Sequence, residues 1–140
     1  MATRVQVTFD ASDPHDLAAW WADLLGYEIE DHNEFIAGLL DQGVIGPDDV
    51  TRIDGRLRFA DACAARDPDG TGPRLYFQRV PEPKTAKNRV HLDVPVAQQD
   101  LDAEVDRVVA SGATFVGFNS HPGQRWAVLQ DPDGNEFCLH

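Results

Sequence analysis

The chain has 140 residues, 42% of them hydrophobic, and a formal net charge of −12. That length fits one domain, or two small halves sharing a core, and the apolar share is enough for a packed interior. With 12 basic residues against 24 acidic ones, the field of the chain repels phosphate, which argues against nucleic acid and anionic membrane as main partners.

Two cysteines, Cys63 and Cys138, are too few for a disulfide framework, and their spacing matches no zinc signature. They read as reduced thiols of a cytoplasmic protein. Met1 to Val5 leads straight into a strand-like alternation with no charged leader, and no apolar run is long enough to span a bilayer.

Val5, Val7 and Phe9 alternate with Gln6, Thr8 and Asp10, the pattern of a half-buried strand with a polar second face. Ser12-Asp13-Pro14 then starts a helix, with a capping side chain, proline at the first helical position and Asp16 in the first turn. Leu17, Trp20, Trp21 and Leu24 share one helix face and are expected in the core. Gly26 ends the helix. Tyr27 to Glu30 reads as a strand.

Residues 33 to 53 suggest a short helix on Phe35, Ile36, Leu39 and Leu40, broken by Gly43, Gly46 and Pro47. A strand is expected from Leu57 to Arg66, then the turn Asp67 to Pro73, then a strand from Arg74 to Val80. Pro81 to Lys87 reads as a proline-bearing, locally basic linker.

Asn88 to Val94 is the next expected strand. It sends Val90, Leu92 and Val94 to one face and Arg89, His91 and Asp93 to the other. A helix follows over roughly Gln98 to Ala110, with Leu101, Val105, Val108 and Val109 as its buried face and Gly112 as its stop. Ala113 to Phe118 is strand-like, Asn119 to Gly123 a loop. Trp126 to Gln130 and Glu136 to Leu139 form a hairpin across Asp131-Pro132-Asp133-Gly134-Asn135, which is turn chemistry.

The order strand, helix, strand, hairpin thus occurs twice, and the hairpin turn repeats in letters, as Asp67-Pro68-Asp69-Gly70 and Asp131-Pro132-Asp133-Gly134. Duplication explains both matches better than chance. The expected fold class is α+β: two tandem βαβββ modules, 1–80 and 88–140, joined by the linker 81–87 into one domain. Their curved mixed sheet would surround a central trough, with helices on the outer face. The polar strand faces would line that trough and seat a small molecule.

The repeated order, the run Asp13-Pro14 through Trp20-Trp21-Ala22-Asp23-Leu24-Leu25-Gly26-Tyr27, the strand with His91, and the ending Asp131 to Leu139 resemble the vicinal oxygen chelate superfamily. That group includes glyoxalase I, bleomycin- and fosfomycin-resistance proteins and extradiol dioxygenases. Pro81-Glu82-Pro83-Lys84, Lys87 to Asp93 and the Asn-Glu-Phe-Cys-Leu ending are similar, more narrowly, to glyoxalase-like proteins common in actinobacteria. The resemblance implies a homodimer and, in metal-dependent members, four ligands from inner strands, two per module. Gln6 and His91 fall on the two first-strand ligand positions. The last-strand position, ordinarily Glu, is Cys138 here, with Glu136 two residues earlier. The remaining position is Tyr76 or Gln78. A hard divalent ion wants carboxylate or imidazole donors, so the missing glutamates disfavour a divalent metal.

His91 is either a site residue, serving as ligand or general base, or a histidine hydrogen-bonded to Asp93 or Arg89. Arg89 could hold an anion, as could Lys84 and Lys87, although the lysines read more simply as a solvated linker. Gln6, Gln78 and Asp93 are expected as polar positioners. Tyr76 and Trp126 line either a pocket or the core. Cys138 reads as a buried thiol lining the site, and His121 as a solvated loop histidine. Two functions follow. One is a glyoxalase-like lyase, isomerase or dehydratase acting on a small metabolite. The other is a binding protein without chemistry that sequesters a drug-like molecule by stacking and burial.

Overall fold

The computed structural model describes residues 1–140, and one strand order occurs in it twice. The chain divides into two compact units, Met1–Pro81 and Glu82–His140. Each is an α+β unit built on a four-stranded mixed sheet.

The first unit runs β1 (Gln6–Ala11), α1 (Pro14–Leu25), β2 (Glu28–Ile29), α2 (Asn33–Asp41), β3 (Val50–Ile53), β4 (Arg56–Phe59), β5 (Ala62–Arg66) and β6 (Arg74–Arg79). Its sheet order is β1-β6-β5-β2, with β1 and β6 parallel and the other pairs antiparallel. Helix α1 starts where Asp13 accepts from the backbone N–H groups of His15 (3.0 Å) and Asp16 (3.1 Å), satisfying two donors that have no partner inside the helix. It stops at Gly26, whose φ of +69° is the left-handed conformation of a helix C-cap.

The face that α1 buries carries Leu17, Ala18, Trp21 and Ala22. Beneath it Phe9 stacks on Phe77 at 4.9 Å and tilts against Trp21 at 5.2 Å. Leu75 and Ala65 complete this core. Trp20 is only half-buried and meets Trp21 edge-on at 5.3 Å. Val5, expected on the buried face, precedes β1 and is 71% exposed.

The expected strand from Leu57 to Arg66 is two strands. β4 pairs with β3 in a separate two-stranded sheet, and only β5 joins the main one. The chain bends between them because Ala60 N–H donates to the Asp49 carbonyl (2.9 Å) and the Asp61 carbonyl accepts from Arg79 N–H (2.8 Å). Residues 33–53 therefore form α2 and the first arm of a small hairpin, an insertion into the βαβββ order.

The second unit runs β7 (Leu92–Val94), α3 (Leu101–Ala110), β8 (Thr114–His121), β9 (Gln124–Gln130) and β10 (Glu136–Leu139), in sheet order β7-β10-β9-β8. Helix α3 buries Leu101, Val105 and Val108 and begins after a 3₁₀ turn at Gln98–Asp100. Val109, expected with them, is on the solvent side, 39% exposed.

The strand expected from Asn88 shrinks to Leu92–Val94. Val90 is outside it and 82% exposed, so alternation extends further in the letters than in the pairing. Strand β8 instead outruns its expectation and takes in Asn119 to His121, because these residues pair with β9 through to Gln124. The loop is reduced to Pro122 and Gly123.

The repeated turn letters perform a repeated task. Asp67 accepts from the N–H groups of Asp69, Thr71 and Gly72 at 2.7–3.0 Å. Asp131, 2% exposed, accepts from those of Asp133 and Asn135 at 3.0 and 2.9 Å. The backbone donors hold the Asp67 carboxyl down at about 2, with that of Gly72 foremost. No helix is long and apolar enough to cross a membrane.

Candidate functional site

Parallel pairing of β7 with β10 sets Asp93 beside Cys138. His91 stands one residue ahead of β7 and on the same side as Asp93, because side chains alternate along an extended chain. Its Nε2 lies 3.1 Å from Asp93 Oδ1. One donor atom from each of His91, Asp93 and Cys138 lies within 4.8 Å of the others. His91 and Asp93 are exposed, while Cys138 is buried at 7%. The thiol is pushed up, first by burial and then by the charge of Asp93 and its hydrogen bond to that carboxylate. The ammonium of Lys87 offsets part of this. A thiol in those surroundings is no ready nucleophile.

His91 and Cys138 open on a cavity of about 460 Å³ in the second unit. Trp126, Phe118, Val116 and Val128 form its apolar wall, and His91 with Cys138 its polar end. Trp126 in turn has His121 at 5.3 Å and His140 at 6.4 Å beside its ring. His121, read from the sequence as a loop residue, thus belongs to the end of β8. Pairing beyond Phe118 was invisible in letters that include a proline and a glycine.

Glu136 also borders the cavity. Its carboxylate accepts from Asn88 N–H at 3.0 Å and pairs with Lys84 at 3.0 Å. Burial pushes this carboxyl up, but the Asn88 N–H and the Lys84 ammonium outweigh it and hold the group at about 2. Lys84 is therefore a structural tie rather than an anion-holding cation, a role that sequence reasoning missed. Arg89 is exposed and does not line the cavity.

The remaining expected residues lie in the first unit, on the polar face of β1 and β6. Gln6 Oε1 accepts from Arg74 at 2.7 Å, and its amide nitrogen lies 3.4 Å from Thr8 Oγ1. Gln78 donates to Asp10 at 2.8 Å. Arg74 also donates twice to Glu30, each time at 2.7 Å, and stands 5.6 Å over the ring of Tyr76. Tyr76 lines a second cavity, about 610 Å³, to which the insertion contributes Val44 and Ile45 and β4 contributes Phe59. Sequence reasoning missed Arg74 and Glu30. Glu30 is 44 residues before Arg74, and only strand pairing brings them together.

The donors present do not suit the hard divalent ion implied by the resemblance. Gln6 offers its carbonyl oxygen to a guanidinium, so that atom is committed, and a cation already stands at the position. The last strand of the second unit presents a thiol where a hard ion needs an oxygen.

The model of the glyoxalase-like domain matches residues 6–140. No curated protein matches the chain by sequence. Among solved structures, a glyoxalase/bleomycin resistance protein/dioxygenase family enzyme from Burkholderia phytofirmans is 16% identical with a TM-score of 0.62, over 96% of this chain and 94% of that one. The fosfomycin resistance protein FosX from Mesorhizobium loti is 14% identical with a TM-score of 0.65, over 100% and 91%. A mutant FosX from Listeria monocytogenes, solved with Mn(II) and 1S,2S-dihydroxypropylphosphonic acid, is 12% identical with a TM-score of 0.64, over 100% and 90%. At these identities the structures share the fold with this chain. With nearly every residue inside the matched domain and the same α+β architecture in each unit, the chain belongs to the glyoxalase-like family.

Proposed function

We propose that the protein binds a small metabolite in the cavity of its second unit and acts on it as a lyase, isomerase or dehydratase. The observation that carries this reading is the cavity's division into two ends. Trp126 and Phe118 offer aromatic surface on which a ligand can be buried. His91 stands at the reacting end with Asp93 beside it. Lys87, also on the wall, favours an anionic group on the ligand. In this reading Arg89 is a surface cation that helps draw in an anion, and the active form is a homodimer.

The aromatic wall also favours the second reading, a protein that sequesters an aromatic molecule without altering it, since stacking and burial need no reactive group.

A thermal-shift screen of anionic metabolites and aromatic antibiotics tests both. A true ligand at a hundred times its Kd stabilises by about 2.7 kcal/mol, a shift of several degrees. Hits that are lost in Trp126→Ala support the cavity. Turnover of a hit, abolished in His91→Ala, supports the enzyme. A hit bound unchanged, with no product over long incubation, supports sequestration. Silence across a broad library overturns both.

A further inference from the structure

The one group of three metal-ligating side chains in the molecule, His91, Asp93 and Cys138, stands at the cavity's polar end, where the first and last of them line it. We infer that His91, Asp93 and Cys138 bind a thiophilic divalent cation of the zinc type, entirely within the second unit. This rests on the reading of that cavity as the functional site and adds what occupies its polar end.

Asp93 and Cys138 are direct neighbours across the parallel β7–β10 pair, and His91 lies two residues before Asp93 on the same side. Strand pairing therefore sets Asp93 against Cys138, and His91 joins them from the residue just ahead of β7. In a tetrahedral zinc site, bonds of about 2.0–2.3 Å put neighbouring donors roughly 3.3–3.8 Å apart. His91 Nε2 and Asp93 Oδ1 are already 3.1 Å apart, and all three donor atoms are within 4.8 Å of one another. Small side-chain rotations of two exposed residues close the remainder.

Donor type decides the ion. Imidazole, carboxylate and thiolate together suit zinc and cobalt, whereas magnesium and manganese prefer oxygen throughout. Asp93 brings the carboxylate that the resemblance places on the last strand, so the charge is conserved while its position moves to the neighbouring strand. Three protein donors would leave a fourth position for a ligand, and two of those donors, His91 and Cys138, line the cavity. That is the arrangement of a site that presents a metal to a ligand. Cys138 must ligate as a thiolate, so its proton leaves to buffer when the ion binds.

The test is cobalt titration of the whole chain, freed of metal by chelator and kept reduced. Wild type should develop a near-ultraviolet thiolate-to-cobalt band and visible bands of tetrahedral intensity. Zinc should bleach both, and millimolar magnesium should not. Cys138→Ser should lose the near-ultraviolet band, whereas Cys63→Ser keeps it. His91→Ala changes an exposed residue and should leave the circular dichroism spectrum unchanged while weakening cobalt binding at least tenfold. No thiolate band in folded wild type overturns the inference, as does a band that survives Cys138→Ser, or cobalt affinity unchanged in His91→Ala. The two proposals fail separately. Cobalt bound with the thiolate band, but no small molecule bound, overturns the function alone. A small molecule bound at Trp126 without any cobalt band overturns the metal alone.

Discussion

Tyr76 and Cys138 hold the same register position in the two units. Tyr76 lies between Thr8 on the parallel neighbour and Ala64 on the antiparallel one. Cys138 lies likewise between Asp93 and Val128. Each also follows a buried residue, Leu75 or Phe137, that pairs two positions before the turn aspartate, with Ala65 or Leu129. By this register Gln6 corresponds to His91, Thr8 to Asp93, and Arg74 to Glu136. The ambiguity between Tyr76 and Gln78 thus resolves to Tyr76 as the counterpart of Cys138.

This correspondence predicts stoichiometry. The first unit presents an amide, a hydroxyl and a phenol where the second presents an imidazole, a carboxylate and a thiol. Neutral oxygen donors beside the Arg74 guanidinium hold no thiophilic ion. Cobalt titration should therefore reach its end point at one equivalent per chain. An end point at two would show that the halves have not diverged in this respect.

The two adjacent tryptophans should differ sharply in cost. Trp21 is 1% exposed and packs on Phe9, which stacks on Phe77. Trp21→Ala should destabilise by about 3–5 kcal/mol, measured by urea denaturation. Trp20 is half-buried and touches the same core only by its edge. Trp20→Ala should cost less than half as much. Equal costs would contradict the placement of α1.

Much of this was legible in the letters. Asp13-Pro14 and Gly26 mark both ends of α1 by capping chemistry that depends on the local chain alone. The paired Asp-Pro-Asp-Gly turns announce the duplication for the same reason. What escaped depends on partners distant in sequence. Val90 continues an alternation that has no strand to pair with. Arg74 meets Glu30, and Lys84 meets Glu136, only after the sheets form. His91, Asp93 and Cys138 were each named from the sequence, yet their meeting required the β7–β10 register.

Gly72 is held to glycine by Tyr27. A Cβ at Gly72 would collide with the Tyr27 hydroxyl and approach the Asp67 carboxylate that Gly72 N–H caps at 2.7 Å. Gly72→Ala should destabilise by about 1–3 kcal/mol, the usual range for overpacking. Tyr27→Phe removes the colliding oxygen. The double variant should recover part of the loss, giving a coupling of about 0.5 kcal/mol or more in a thermodynamic cycle. Simple additivity would place the strain elsewhere.

The Glu30–Arg74 pair should leave its mark on acid stability. The Arg74 hydrogen bonds hold the Glu30 carboxyl below its ordinary range, against the opposing effect of burial, and His32 at 3.0 Å adds to them. A carboxyl lowered in the folded state stabilises above its unfolded pKa, about 4.3, and that contribution is lost as pH falls through the folded pKa. Glu30→Gln should cost about 1 kcal/mol near neutrality, since Arg74 is partly exposed. The gap in Tm between wild type and variant should hold at neutral pH and narrow only below about pH 4.5. A gap that widened on acidification would reverse the sign of the argument.

Glu136 should govern the segment that delivers His91. Residues 81–91 contain no helix or strand, so little of their backbone is held by a ladder. Glu136 holds them from β10 through Asn88 N–H and Lys84, and its backbone carbonyl lies 3.5 Å from the Asn88 amide nitrogen. Glu136→Gln keeps the shape but removes the charge that strengthens both contacts. Hydrogen exchange at Asn88 should accelerate by about 5–30-fold, which corresponds to the loss of about 1–2 kcal/mol, with the β10 amides unchanged. Lys84→Ala removes only an ion pair and should have a smaller effect, about 0.2–1 kcal/mol. If Asn88 exchanges equally in Glu136→Gln and wild type, the carboxylate does not order the segment, and His91 must be positioned by Asp93 and the start of β7 alone.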